Sequence, residues 1–405
     1  MSELNNPFPA LQSEPVVVDG TNPDAPLPIA PLPRAPEAIN PNAENPPWTG
    51  FDLFLMGLIL IAALFFFSTL SFAISTLFSS RSVKELAKAP GALTIVPAMA
   101  ISYLLVMIFM YVRLARARHA QFWQAVSWRW PAGNGWLGFL IAGGVTAVTL
   151  GLLSRLLPMP KSLPVDRFFG DRRSAYLMVF FGVLIAPLAE ELLFRGFLYP
   201  VLDRWLQTLF MFPQRLRRGS LWMLVIAGWG CLVRVMPSPS SGLLAALVPI
   251  PIIGILLGRS SRAGGRPAHA VLLPGVSLLV WGFVERPLPG QSTLWATAAL
   301  LALAVLLMGI GSARGLNASS AATVGRILAV LVTSAAFAMM HDEQLGSAWA
   351  PLLVLFAVGC VLTVTRVMTR AVAPSVLLHM GYNGTLFGLL YLATDHFRHL
   401  ERMTR

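Results

Sequence analysis

Long apolar runs separated by short polar stretches make up most of the chain after Trp48. A helix needs about 20 mostly apolar residues to cross roughly 30 Å of hydrocarbon, and these runs reach or approach that length. The pattern therefore predicts an all-α, polytopic transmembrane helix bundle with about eleven spans, in a range of ten to twelve. The predicted spans are 51–78, 91–112, 136–157, 174–200, 219–236, 241–258, 268–284, 293–311, 323–341, 349–366 and 372–394.

The first 48 residues have a different character. They hold 12 of the 31 prolines and six acidic residues against one basic residue. A segment so rich in proline cannot bury enough apolar surface to fold, so a disordered, acidic tail is predicted. The chain then divides into the tail (1–48), N-terminal membrane helices (49–218), inserted membrane helices (219–322), and C-terminal membrane helices with a short tail (323–405).

The composition agrees with a membrane protein. Hydrophobic residues make up 56% of the chain and charged residues only 12%, about half the charged share of a soluble domain. The formal net charge of +12 comes from arginines and lysines that flank apolar spans. Such residues meet lipid headgroups, so the expected partner is the bilayer and not nucleic acid. Cys231 and Cys360 lie in apolar spans, which indicates neither a disulfide framework nor a thiolate metal site.

Arginine-rich loops set the predicted orientation. With eleven spans, the loops 113–135, 201–218 and 259–267 fall on one side of the membrane. The positive-inside rule places that side, and with it the N-terminal tail, in the cytoplasm. The opposite loop, 158–173, also carries four basic residues, so the charge difference between the two sides is moderate.

One span carries two adjacent carboxylates. The stretch APLAEELLFRG places Glu190 and Glu191 among apolar residues, where a charge costs roughly 2.5–3.5 kcal/mol. Glu191 and Arg195 are four residues apart, so they share a helix face and can pair. Glu190 lies about 100° further round the helix and has no such partner. Pro187 lacks an N–H group and would leave the carbonyl of Val183 free in an α-helix.

Two later spans carry the polar groups that could converge on Glu190. His341 ends an apolar helix one turn after Phe337, in SAAFAMMHDE. His379 and Asn383, in SVLLHMGYNGTLF, are four residues apart and therefore lie on one helix face. Ionisable residues within a membrane indicate a functional site by default.

These three patterns, EExxxR, FxxxH and HxxxN in this order on apolar helices, resemble the CPBP family of intramembrane peptidases. That family includes the CAAX-processing endoproteases and the bacterial ABI or bacteriocin-processing proteins. The resemblance implies hydrolysis of a peptide bond in a peptide or membrane-protein substrate, without a covalent intermediate and without a cofactor. We expect an integral protein of the bacterial inner (cytoplasmic) membrane.

The resemblance also implies a role for each residue. Glu190 would take a proton from water, and His341 would orient that water. His379 and Asn383 would donate hydrogen bonds to the oxyanion of the tetrahedral intermediate. Glu191, Arg195 and Phe337 would support the structure of the site.

Three alternatives stay open at this point. Glu190, His341 and His379 could bind Zn²⁺ as an intramembrane metallopeptidase would, although the sequence lacks the HExxH helix. The chain could also be a non-catalytic membrane scaffold or immunity-type protein. A proton-relaying transporter would use similar carboxylates, but no inverted repeat is visible.

The spacing of the motifs raises a geometric problem. Four predicted spans, at 219–311, separate the first motif from the second, whereas family members usually carry these motifs on consecutive helices. An even number of inserted spans restores the orientation of the next helix, so the motif helices can still be neighbours. The predicted topology nevertheless puts His341 toward the outer end of its span and His379 toward the inner half of its own. A tilt, or a helix that continues past Asp342, would be needed to bring them level.

Overall fold

The structure is a computed structural model that describes residues 44–78, 83–88, 91–117, 121–211 and 317–401. These ranges are helical and contain no strand. Seven long helices are α1 (Gly50–Phe78), α2 (Ala92–Val112), α3 (Gly135–Ser154), α4 (Arg172–Met211), α5 (Ala318–Met340), α6 (Trp349–Thr369) and α7 (Ala373–Ala393). Shorter elements are helices Val83–Lys88 and Phe122–Ala125, a π-helical turn at Arg113–Ala117, and 3₁₀ turns at Pro164–Phe169 and Glu343–Leu345.

The seven long helices are each long and apolar enough to cross a membrane. Each corresponds to one of the seven predicted spans that fall on described residues, and the protein is an integral membrane protein. The other parts of the prediction lie outside the described residues. These are the spans 219–236, 241–258, 268–284 and 293–311, the loop 259–267, residues 212–218 of the loop 201–218, Cys231 and the tail up to residue 43.

Helix α4 is longer than predicted. The expected span ended at residue 200, with a loop from 201 to 218, but the helix continues to Met211. The added turns are amphipathic and bury Leu206, Leu209 and Phe210 against Ala321 and Ala329 of α5. The prediction was wrong here because hydropathy detects where a segment stops being uniformly apolar. A helix can continue beyond that point when one of its faces packs on a neighbour.

The way in which α5 packs along α4 accounts for the depth of His341, which was expected too close to the end of its span. Gly325, near the start of α5, packs so closely on Gln207 that a Cβ added to Gly325 would lie 2.6 Å from the backbone nitrogen of Gln207. Further along, the ring of Phe337 lies 5.6 Å from that of Phe194. Helix α5 therefore runs antiparallel along the C-terminal half of α4, and its own C-terminus lies beside the middle of α4. His341 reaches the level of Glu190 without any extension past Asp342.

Helices α3 and α7 cross at two glycines. A Cβ on Gly143 of α3 would lie 2.0 Å from the carbonyl oxygen of Leu378, and one on Gly381 of α7 would lie 2.1 Å from that of Leu140. Only glycine permits backbones to approach this closely. The crossing fixes the height and rotation of α7, which carries His379 and Asn383.

The last residues of the predicted tail pack on the bundle. Trp48 is 2% exposed, and its indole N–H donates to the carbonyl oxygen of Phe197 at 3.0 Å. The Glu44 carboxylate lies 3.0 Å from a guanidinium nitrogen of the buried Arg366. The Glu44 backbone N–H donates to Asp203. The predicted boundary at residue 48 is therefore too late, since proline content indicates disorder only where no bundle surface receives the chain.

The glycine crossing is tested by a pair of substitutions on α7. Gly381→Ala places a methyl group into the backbone of α3 and should lower the free energy of unfolding by about 1–3 kcal/mol or more. Gly388→Ala is the matched control, because a Cβ there meets nothing within 4 Å. Thermal melting in detergent should show a large loss for the first variant and none for the second. Equal melting would contradict the close crossing.

The docking of Trp48 is tested by Trp48→Phe. The change removes a buried hydrogen bond and leaves the Phe197 carbonyl without that donor, at a cost of about 1–3 kcal/mol. Trp123→Phe serves as the control, since Trp123 is 53% exposed. If both variants melt like the parent protein, the segment before α1 does not contribute to the bundle.

Candidate active site

Helix α4 has π-helical turns on both sides of the two glutamates. The turns Phe181–Ile185 and Leu192–Leu198 flank the α-helical segment Ala186–Glu191. In the first of these, the Ala186 N–H donates to the carbonyl of Phe181, five residues back. π-Helical turns inside α-helices are frequent at functional sites.

The first π-turn changes which carbonyl Pro187 leaves free. With five-residue spacing, the missing N–H of Pro187 leaves the carbonyl of Gly182 without its donor, and not that of Val183 as α-helical spacing predicted. The amide nitrogen of Asn383 donates to the Gly182 oxygen at 2.7 Å. Asn383 therefore joins α7 to α4 at the turn that precedes the glutamates.

Glu190 is 4% exposed and has a different neighbour at each carboxylate oxygen. The Tyr103 hydroxyl, from α2, donates to Oε1 at 3.3 Å. His341 Nε2 lies 4.0 Å from Oε2. The structure thus brings Glu190 and His341 together, and it adds Tyr103, which the sequence analysis missed.

A hydrogen bond at Nδ1 defines the tautomer of His341. Nδ1 lies 2.9 Å from the carbonyl oxygen of Phe337, which can only accept. Nδ1 therefore carries a hydrogen, and in the neutral ring Nε2 presents a lone pair toward Glu190.

Glu191 binds two partners through one oxygen. Arg195 Nη1 and His379 Nδ1 each lie 2.9 Å from Glu191 Oε1, and both Glu191 and Arg195 are fully buried. The ion pair with Arg195 is the one predicted from the four-residue spacing. The contact with His379 was not predicted, because the sequence analysis grouped His379 with Glu190. Glu191 Oε2 is buried and has no hydrogen-bond partner in the part of the chain that the structure describes.

The rest of the Arg195 guanidinium binds α6. Nη2 donates to the carbonyl oxygen of Gly359 at 2.9 Å, and Nε donates to the Thr363 hydroxyl at 3.1 Å. A planar guanidinium can satisfy three acceptors in fixed directions, which a lysine cannot do. Gly359 and Thr363 were not predicted; the available signal was a threonine one helical turn after a glycine in an apolar helix.

Phe337 lies among these polar groups. Its ring centroid is 5.0 Å from that of His341 and 5.7 Å from that of His379. The guanidinium carbon of Arg195 lies 4.7 Å from the same centroid, in a cation–π contact. Phe337 thus packs against both histidines and the arginine, and its supporting role in the site stays a prediction.

The metal alternative finds no ready ligand set. Within the described ranges, no three His, Cys, Asp or Glu side chains are grouped so that they could hold a metal ion. Of the three candidate ligands, His379 directs Nδ1 to Glu191 and His341 directs Nδ1 to a backbone carbonyl, so either ring would offer Nε2 to a metal. Glu190 and His341 lie together, whereas His379 contacts Glu191 and Asn383 contacts the carbonyl of Gly182.

Comparison with protein families agrees with the motifs. The chain matches the model of the Rce1-like family, described as type II CAAX prenyl endopeptidase, over residues 172–273 and 311–385. All three motifs lie within these ranges, and the family predicted from them is confirmed. No match was found among curated proteins or among solved structures.

Glu191→Gln tests the buried ion pair. The substitution leaves the buried Arg195 cation without its counter-charge and should lower the free energy of unfolding by about 3–5 kcal/mol. Glu190→Gln is the matched comparison on the adjacent residue, and it should melt close to the parent protein because Glu190 forms no ion pair with any arginine in the described ranges. Detergent-solubilised melting and membrane yield measure the difference. Equal stability of the two variants would show that the pair is dispensable for folding.

Proposed function

We propose, from the premise that the chain is Rce1-like, that it is an intramembrane endopeptidase in which Glu190 activates water. The observation that carries this proposal is the 4.0 Å separation of Glu190 Oε2 and His341 Nε2. Both atoms are hydrogen-bond acceptors when Glu190 is ionised and His341 is neutral. Two acceptors held this close are stabilised by a molecule that donates a hydrogen to each of them.

Water fits that requirement. One of its hydrogens would point to the carboxylate and the other to the imidazole, which leaves a lone pair of the oxygen free to attack a carbonyl carbon. Transfer of a proton to Glu190 during the attack is general base catalysis, which contributes about 10²–10⁴-fold to a rate. His341 would orient the water, as its fixed tautomer allows.

The developing oxyanion needs donors, and α7 can supply two. His379 donates from Nδ1 to Glu191, so Nε2 becomes a donor when the ring is an imidazolium, with Glu191 as an adjacent negative charge. Asn383 uses one hydrogen of its amide nitrogen for Gly182 and has a second one. Such donors stabilise a tetrahedral intermediate when they are held in place beforehand.

The proton balance closes on the same residues. The water oxygen forms a bond to the carbonyl carbon while its proton moves to Glu190. The carbon–nitrogen bond then breaks, and Glu190 returns the proton to the leaving amine. The products are a carboxylic acid and an amine, and no group on the protein is left modified.

The substrate is proposed to be a peptide or the terminal segment of a membrane protein, which reaches the site from the cytoplasmic side. The arginine-rich loops support this orientation and place the N-terminal tail in the cytoplasm. The inner membrane of a bacterium is the proposed location. A reporter peptide ending in a CAAX sequence, made with and without a prenylated cysteine, separates a general peptidase from a prenyl-dependent one.

Glu190→Gln is the central test of this proposal. The amide is nearly isosteric but cannot take the proton, so kcat should fall by about 10²–10⁴-fold while melting stays unchanged. Glu401→Gln, an exposed glutamate near the C-terminus, is the control and should cleave normally. Near-normal cleavage by a well-folded Glu190→Gln variant would sink the glutamate mechanism. If the unsubstituted protein is well folded but cleaves neither CAAX reporter peptide, the scaffold alternative is favoured.

Chelation separates the glutamate mechanism from the zinc alternative. Purified protein incubated with 1,10-phenanthroline and then freed of the chelator should keep its cleavage rate if Glu190 acts on water without a metal. Loss of activity that returns on addition of Zn²⁺ would support the metallopeptidase instead. The inactive isomer 1,7-phenanthroline controls for direct effects of the compound on the bilayer or the detergent.

A further inference from the structure

Tyr103 contacts Glu190 from outside the three motifs. It lies on α2, beyond the residues matched by the family model, and is 4% exposed. Its hydroxyl donates to Glu190 Oε1, the carboxylate oxygen that does not face His341. We propose that Tyr103 is a positioning residue that holds the Glu190 carboxylate with its other oxygen directed at His341. This inference rests on the proposed peptidase function.

The Tyr103 ring is itself held in place. It stacks on Phe181 with the ring planes 15° apart and the centroids 6.2 Å apart. Phe181 begins the π-turn that precedes the glutamates, so the same segment of α4 sets both the ring and the carboxylate. The neighbouring Ser102 hydroxyl donates within α2, to the carbonyl of Ala98. Tyr103 is therefore the residue of this pair that reaches across to α4.

A phenol suits this position because it is a neutral donor. The groups around Glu190 already include three other ionisable side chains: Glu191 on its own helix, His341 at the end of α5 and His379 on α7. An arginine in place of Tyr103 would form an ion pair of the kind that Glu191 makes, and such a carboxylate gives up its charge reluctantly. A tyrosine orients the carboxylate and leaves it able to accept a proton from water.

Tyr103→Phe tests the proposal, with Tyr382→Phe as the matched control. Tyr382 is also a buried tyrosine, and its hydroxyl makes no hydrogen bond to any residue that the structure describes. With the CAAX reporter peptides, Tyr103→Phe should lower kcat by about 10- to 100-fold, the usual worth of a hydrogen bond to a charged group. KM and the melting temperature should stay near parent values. The control should match the parent protein in all three.

A second measurement does not depend on turnover. A hydrophobic carbodiimide reacts with protonated carboxyl groups in membranes, and mass spectrometry reports its addition at Glu190. Tyr103→Phe should be labelled faster than the parent protein at neutral pH, because a carboxylate that has lost its donor binds a proton more readily. Phe181→Leu keeps the hydroxyl but removes the stacking ring, so its labelling rate and kcat should lie between those of the parent and Tyr103→Phe.

The outcomes separate this inference from the function on which it rests. Parent kcat and parent labelling in Tyr103→Phe would overturn the positioning role, while loss of cleavage in Glu190→Gln would still support the peptidase. If the parent protein cleaves neither reporter, the labelling rates of Tyr103→Phe and Tyr382→Phe decide the Tyr103 contact alone. Equal losses in both tyrosine variants would mark the effect as general to buried tyrosines, which also contradicts the proposal.

Discussion

The buried pair of Glu191 and Arg195 is the interaction on which the rest of the site depends. A buried ion pair contributes little net stability, because removing both charges from water costs about as much as their attraction returns. Its effect here is geometric. The guanidinium binds Gly359 and Thr363 of α6, and the carboxylate binds His379 of α7. One pair on α4 thus fixes two other helices, and neither helix can rotate without leaving a buried charge or donor unsatisfied.

Adjacent positions on one helix give two identical side chains different surroundings. About 100° of rotation turns Glu191 toward an arginine and a histidine, whereas Glu190 faces a tyrosine and the end of α5. The ion pair with Arg195 holds the Glu191 carboxylate in place, which suits a residue that orients others. The Tyr103 hydroxyl is a neutral donor, so the proton transfer proposed for Glu190 does not have to break an ion pair with an arginine. The π-turns before and after the glutamates also change which side of α4 the flanking residues face, relative to a regular α-helix.

Local spacing was enough to predict the groups that share a helix. The Glu191–Arg195 pair follows from a four-residue interval, and the seven described spans follow from hydropathy. The missed contacts all cross between helices. Tyr103, Gly359 and Thr363 lie on apolar helices, where such residues are common in packing, so their spacing alone does not single them out as partners of the glutamates and Arg195. Trp48 was assigned to the tail because proline content describes a segment alone and not the surface that it meets.

The position of His341 shows why distance along the chain was a poor guide to the site. With the predicted span at 323–341, His341 was expected toward the outer end of that span. The extra turns of α4 after residue 200 change that, since α5 packs on them through Gly325 and starts well beyond the level where the predicted span ended. Because α5 begins further from the centre of the membrane, its last residue lies closer to that centre. The C-terminus of α5 therefore lies beside Glu190, and the polar end of that helix meets a carboxylate in the middle of the bundle instead of headgroups.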